Sequence, residues 1–315
     1  MNLNSKILVL GHNGLVGSAI LRALKSKGCS RLLVVPRSEA DLREQVEIRA
    51  YFGKHRPEYV FLAAATVGGI MANSTRPADF IYDNTLIAAN VLDCCVRYPV
   101  RKILMLGSTC IYPKLAPQPI KEESLLSGPL EPTNQWYAIA KIAGIKIAQA
   151  FRIQHGLCAI AAMPTNLYGP NDNYDLASSH VLPALIRKIH EAKVTGAGRV
   201  EIWGTGTPRR EFLHVDDLTR ALLLLMETYD DENIINVGCG EDVTILELAN
   251  IVKEVIGYAG QLYFDTSKPD GTPKKQTDST RIFSLGWKPQ IALPQGIREV
   301  YEAYCAAHLH EASIP

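Results

Sequence analysis

The sequence predicts an α/β protein, a doubly wound parallel sheet with a smaller mixed α/β C-terminal lobe. Three observations carry this expectation. Short continuous apolar runs alternate with stretches of helical periodicity, a glycine-spaced turn joins the first run to the first helix, and loops lengthen beyond Gly169 while strands shorten.

In chain order, Lys6–Leu10 is an apolar run that stops at Gly11, and Leu15–Lys27 has helical spacing of apolar positions until Gly28 ends it. Arg31–Val35 reads as a second buried strand. The alternation continues through Tyr59–Ala65, a helix near Ala78–Tyr98, Lys102–Gly107, a helix from about Tyr137 to Gln154, and Cys158–Met163. Loops at Gly169–Ser178, Gly204–Arg210 and Ser267–Pro273 then space out shorter strands at Val200–Trp203, Ile234–Val237 and Gln261–Phe264. This texture predicts a dinucleotide-binding domain over 1–170, with return segments near 211–240, and a second domain mainly over 171–315.

Composition narrows the function classes. The 315 residues carry 33 Lys+Arg against 32 Asp+Glu, so no broad field exists to hold nucleic acid or an anionic membrane, and an anionic ligand must be gripped by placed groups. Seven scattered cysteines without a Cys-x-x-Cys pair argue against a disulfide framework or a metal site. The N-terminus lacks a signal-like apolar core, and no apolar stretch reaches the ~18 residues that span a bilayer. A cytoplasmic protein with free thiols is expected.

Gly11-His12-Asn13-Gly14-Leu15-Val16-Gly17 has G-x-x-G-x-x-G spacing between a strand and a helix. That pattern supplies a tight turn, close backbone approach to a pyrophosphate, and a positive helix N-terminus facing it. The second strand ends in Val34-Val35-Pro36-Arg37-Ser38, with Arg37 where an acidic residue would bind ribose hydroxyls, so NADP is favoured over NAD. Asp41 and Leu42, just beyond, are expected to border the adenine.

Tyr137 and Lys141 stand at i and i+4 on one helical face, and Leu106-Gly107-Ser108-Thr109-Cys110 closes an apolar strand upstream. A buried phenol beside a fixed cation is cheaper to ionise, so Tyr137 can trade a proton with a carbonyl oxygen while hydride moves. Together Ser108, Tyr137 and Lys141 make the Ser-Tyr-Lys set of the extended short-chain dehydrogenases/reductases, which the chain resembles throughout.

Within that superfamily the chain is similar to the GDP-L-fucose synthase family. The matching stretches are Val67-Gly68-Gly69-Ile70, Gly107 to Pro113, Glu131-Pro132-Thr133-Asn134, Asn166-Leu167-Tyr168-Gly169-Pro170, Ser179-His180-Val181, and Arg210 to Asp217. The resemblance implies a GDP-4-keto-6-deoxy-D-mannose 3,5-epimerase and NADPH-dependent 4-reductase that works as a homodimer. It assigns Cys110 as base and His180 as acid in epimerisation, and Ser108, Tyr137 and Lys141 to reduction of C4. It extends the cofactor contacts to Leu106, Gly107, Thr109, Pro164, Thr165, Asn166, Leu167 and His180, and assigns the GDP end to Lys188, Trp203, Arg210 and Asp270. A 3-deoxy sugar leading to GDP-L-colitose, or a GDP-heptose, would use the same catalytic groups, and a non-catalytic NADP sensor is a distant alternative. Apolar positions on more than one stripe of the helices around Ile81–Val96 and Ala138–Ala148 are consistent with pairing across a two-fold axis.

Overall fold

The computed structural model describes residues 1–268 and 270–309. The first half runs β1 (Ile7–Leu10), α1 (Leu15–Ser26), β2 (Leu32–Val34), α2 (Gln45–His55), β3 (Tyr59–Leu62), α3 (Ile70–Thr75), α4 (Pro77–Arg97), β4 (Lys102–Leu106), α5 (Gln135–His155) and β5 (Ala159–Pro164). The second runs β6 (Asn166–Tyr168), α6 (Val181–Thr195), β7 (Arg199–Trp203), β8 (Arg209–Arg210), β9 (Phe212–His214), α7 (Val215–Thr228), β10 (Ile235–Val237), β11 (Val243–Thr244), α8 (Ile245–Ile256), β12 (Gln261–Asp265), β13 (Lys274–Lys275), α9 (Thr280–Ser284) and α10 (Leu293–Leu309).

The expected parallel sheet is present, in the order β10-β5-β4-β3-β1-β2, and every pairing is parallel. Its winding follows from residue alternation. Leu8 and Leu10 join a core with Phe52, Val91, Leu92 and Ile145, under α2, α4 and α5. Ile7 and Val9 face the other way, onto Ile20, Leu24, Leu218 and Leu222 of α1 and α7. All four β1 side chains are fully buried, and each contributes roughly 1.5–3 kcal/mol by leaving water.

Two local expectations are corrected. The run at Arg31–Val35 is an edge strand with half-buried residues, because nothing pairs beyond β2. Helix α2 was not expected, since only Ile48, Tyr51 and Phe52 of its face are buried and the rest is polar. Helices α4 and α5 bury much of their apolar surface against each other and the sheet. Gly144 allows the approach, since a Cβ there would lie 3.0 Å from both Ala88 Cβ and Met105 Cε.

A separate core joins α6, α8 and α10 to β7, through Leu185, Ile186, Ile189, Ile202, Val252 and Ile297. Strands β7 and β12 pair in parallel, β11-β8-β13 form a small mixed sheet, and β6 pairs with β9. The buried carboxylate of Asp217 accepts from the Gln290 and Ile291 backbone N–H groups, tying the C-terminal segment to α7. Strand order reverses between β1 and β3, so a crevice opens at the carboxyl ends of those strands, where ligands bind in such sheets. Among the described residues no helix is long and apolar enough to cross a membrane, and all seven cysteines are unpaired.

Candidate active site

The glycine turn lies in that crevice. Gly11 has φ +87°, and a Cβ on it would sit 2.6 Å from the Ala64 backbone N beyond β3. A Cβ on Gly17, in the first turns of α1, would lie 2.1 Å from the Gly11 carbonyl O. Gly14 N–H donates back to that oxygen at 3.1 Å, and no side chain caps α1. Small residues and an uncapped helix N-terminus leave a backbone cradle that fits a pyrophosphate. His12, Leu15 and Val16 are half-buried around it, and Asn13 is exposed.

At the far end Arg37 is exposed just after β2. Asp41 is committed elsewhere: both its oxygens accept from Arg43, whose hydrogen bonds hold the carboxyl down at about 2. Arg43 also reaches Asp83 at 3.2 Å, and the Thr66 hydroxyl donates to the same carboxylate at 3.0 Å. The Leu42 carbonyl accepts from Asn90 Nδ2.

Strand β4 delivers the reactive groups. Gly107 follows it, and a Cβ there would meet the Met163 thioether at 2.2 Å. Ser108 then caps a short 3-10 turn (Thr109–Ile111), its Oγ accepting from the Cys110 backbone N–H at 3.2 Å. Lys141 is buried on α5 and its Nζ donates to the Leu106 carbonyl at 2.8 Å, 5.6 Å from the Tyr137 ring centre. Burial pulls this ammonium down to about 8.

The Tyr137 phenol behaves differently from the sequence expectation. Desolvation pushes it well above its ordinary value, the neighbouring Cys110 adds to the shift, and a hydrogen bond from Ser108 only partly opposes it. The lysine's hydrogen bond goes to a backbone carbonyl rather than to the phenol. Tyr137 is therefore protonated at neutral pH, the form a proton donor requires. Phe80 meets its ring edge-on at 6.4 Å.

Phe80 also supports the Val67–Ile70 loop, since a Cβ on Gly68 would lie 3.2 Å from Phe80 Cζ. Gly69 N–H donates to the Ser178 carbonyl at 2.9 Å, and a Cβ on Gly69 would lie 2.6 Å from the Ser179 carbonyl O. That contact anchors the strand of chain leading into His180, the N-cap residue of α6. His180 is exposed, yet desolvation lowers its imidazole below the usual value, as for a side chain on a cleft wall. The structure brings Ser108, Cys110, Tyr137 and Lys141 together; it gives His180 no hydrogen bond to any of them.

Pro164–Leu167 runs from β5 into β6 along the same strand ends. Thr165 Oγ1 and Asn166 Nδ2 both donate to the Glu211 carbonyl, at 3.1 and 2.8 Å, and fix this crossing. Glu211 is fully buried, and its carboxylate takes the Gly240 N–H and both the N–H and hydroxyl of Thr277.

Of the residues expected at the nucleotide end, Arg210 donates only to the Arg209 carbonyl and forms no ion pair among the described residues. Burial lowers its guanidinium, while Cys110, Glu131 and Asp270 pull the other way. Trp203 is half-exposed, with the Lys188 and Lys268 ammonium groups 5.8 and 5.6 Å from its ring centre. Asp270 accepts from Thr205 N and Oγ1, at 2.7 and 2.9 Å, so it closes the Gly204–Thr207 turn.

Sequence reasoning missed Lys275 and gave Asn134 no role. Lys275 Nζ and Asn134 Nδ2 both donate to the Cys110 sulfur, at 3.6 and 3.4 Å. No local signal marks Lys275, which reaches the site only because β13 pairs with β8.

A glycine cradle at a sheet switch point, beside a serine, a tyrosine and a lysine on adjoining elements, defines a dinucleotide-dependent enzyme of the short-chain dehydrogenase/reductase kind. The model of the NAD dependent epimerase/dehydratase family matches residues 7–238, and the chain belongs to that family. It is 59% identical over 300 residues to a probable GDP-L-fucose synthase 1 of Oryza sativa subsp. japonica, covering 95% of this chain and 92% of the relative. A GDP-6-OMe-4-keto-L-xylo-heptose reductase from C. jejuni superposes with a TM-score of 0.93 at 37% identity, covering 98% of this chain and 99% of the other. A GDP-L-fucose synthetase from Naegleria fowleri bound to NADP gives 0.90 at 31% identity, covering 98% and 95%.

Proposed function

We propose that the chain is a bifunctional NADPH-dependent epimerase/reductase that converts GDP-4-keto-6-deoxy-D-mannose to GDP-L-fucose, inverting C3 and C5 and then reducing the C4 ketone. One observation carries the reading. A thiol, Cys110, lies beside the protonated Tyr137 phenol and Ser108, so a group able to abstract a proton and a group able to serve ketone reduction stand side by side.

The 4-keto group acidifies the protons on C3 and C5. Cys110 removes one of them, and Ser108 donates to the carbonyl oxygen on which the charge collects. His180 returns a proton from the other face. Desolvation lowers its imidazole and favours the neutral form, and the anionic diphosphate of the substrate favours the charged form it needs as an acid. Tyr137 then delivers its proton to O4. Gly11, Gly14, Gly17 and the α1 N-terminus would hold NADPH, with Arg37 toward the 2′-phosphate and Lys141 toward the nicotinamide ribose, and the cofactor when bound would supply the hydride. Arg210, desolvated and without an ionic partner among the described residues, receives the diphosphate, and Trp203, Lys188 and Asp270 border the rest of the GDP.

The similarity to a GDP-heptose reductase favours, as a second reading, a heptose substrate handled by the same groups. Product identification by NMR after turnover of each GDP-4-keto sugar with NADPH separates the two. The first reading expects Cys110→Ser to lose solvent deuterium exchange into C3 and C5 while keeping NADPH binding. Inactivity toward the whole set would instead favour a sensor that binds NADP without catalysis.

Residues 1–170 with 211–240 serve the cofactor, and the remainder mainly serves the sugar nucleotide. Tyr82, Trp136 and Ile139 stay 66%, 39% and 39% exposed on α4 and α5, which supports a homodimer paired through these helices; a monomer in sedimentation at micromolar concentration would contradict it. Seven unpaired thiols suit a reducing cytoplasm.

A further inference from the structure

The Cys110 sulfur has donors from two distant parts of the chain. Lys275 Nζ reaches it across 3.6 Å from β13, and Asn134 Nδ2 across 3.4 Å from the residue before α5. Neighbouring Lys274 pairs with Asp242 at 2.9 Å, whereas Lys275 forms no ion pair among the described residues. In strand register Lys275 stands beside Arg210, which has no ionic partner among the described residues. Asn134 Oδ1 is buried with no hydrogen-bond partner, so the Nδ2 contact to the sulfur is the side-chain hydrogen bond this amide makes among the described residues. A thiol facing one ammonium and one amide donor, with a guanidinium nearby, is placed to carry negative charge.

We propose that Lys275 is a positioning residue for Cys110: its ammonium donates to the sulfur and offsets the negative charge the sulfur must carry to accept a proton, and Asn134 fixes the direction of the sulfur's lone pairs. The proposal rests on Cys110 being the epimerisation base. In that step the sulfur lone pair takes the proton, the C–H bond breaks as S–H forms, and the C–H electron pair moves onto the 4-keto oxygen. The ammonium balances the sulfur's charge before the transfer, and the thiol is neutral after it. Return of the proton from sulfur to solvent restores the pair.

Iodoacetamide alkylation of Cys110 reads the thiolate directly, because the S–C bond forms only from the anion as iodide leaves. The rate is measured at neutral pH on NADP-loaded protein, by mass spectrometry of the Cys110 peptide. Lys275→Met and Lys275→Gln are both expected to slow it about tenfold, Lys275→Arg to restore it to within about threefold, and Asn134→Ala to slow it less. NADP affinity should be unchanged in all four, which checks that each has folded. Wild-type alkylation rates in Lys275→Met and Lys275→Gln would overturn the proposal, including the case where only GDP binding weakens and Lys275 serves the nucleotide alone. Retained deuterium exchange in Cys110→Ser would instead remove the base role, and the alkylation rates would still decide the contact between Lys275 and the sulfur.

Discussion

The two ends of the cleft are built from different materials. The end proposed for the pyrophosphate is backbone, made by three glycines and one helix N-terminus within a single short segment after β1. The end proposed for the sugar is side chain, drawn from the turn after β4, the start of α5, the N-cap of α6, and β8 with β13. A backbone cradle depends on local conformation, so it is written in residue spacing. A side-chain cluster depends on which strands pair far along the chain, and spacing does not record that.

The sharpest division should appear inside the sugar end. Tyr137→Phe is expected to lower C4 reduction by about 10³-fold, because the group proposed to deliver a proton to O4 is removed, while deuterium exchange into C3 and C5 continues through Cys110. NADPH oxidation and NMR of the exchanged sugar check the two halves. Reduction at the wild-type rate would take the phenol out of the mechanism.

The backbone end is tested by Gly17→Ala. The new Cβ would lie 2.1 Å from the Gly11 carbonyl O, a backbone atom held by the Gly14 N–H and by a turn at φ +87°. One of these must shift, which costs roughly 1–3 kcal/mol in stability and distorts the cradle. NADPH affinity, followed by fluorescence titration, should fall about a hundredfold, the scale of losing one or two charge-assisted hydrogen bonds at about 1.5–3 kcal/mol each. Unchanged affinity would mean that the pyrophosphate does not rest on this turn.

The same contrast explains what could be read before the structure. The parallel sheet, the glycine turn and the Tyr137–Lys141 face were legible because each is a short-range pattern. Helix α2 was not, since its buried face is only Ile48, Tyr51 and Phe52 and its formation depends on packing beneath β1 and β3. The protonated state of Tyr137 was missed for a related reason. Sequence places Lys141 one turn away but does not show that its Nζ is directed to the Leu106 carbonyl, leaving burial to dominate the phenol. Lys275 had no signal, because a lysine pair after a turn is an ordinary surface motif until β13 is seen to pair with β8.

Lys141 offers a smaller effect that joins stability to function. Its ammonium is buried and pulled down to about 8, against roughly 10.4 in an unfolded chain. Between those values the unfolded chain binds one more proton than the folded one, so stability rises with pH, by up to about 1.4 kcal/mol per unit, and is flat below about 8. Lys102 is lowered in the same direction by its own burial, so the readout is the difference between wild type and Lys141→Met in urea unfolding. Keeping the measurements below about pH 9 leaves the Tyr137 phenol largely protonated in both states. Catalysis should move the opposite way. Reduction falls above about pH 8 as the ammonium beside the nicotinamide ribose loses its charge, and Lys141→Arg, which stays charged, should flatten that fall. Stability gained where activity is lost is the signature of a buried cation retained for chemistry rather than for the fold. If wild type and Lys141→Met showed the same slope, the lysine would keep its ordinary affinity for protons in the folded protein as a charged, solvated ammonium, and its place in the hydride-transfer end of the cleft would have to be given up.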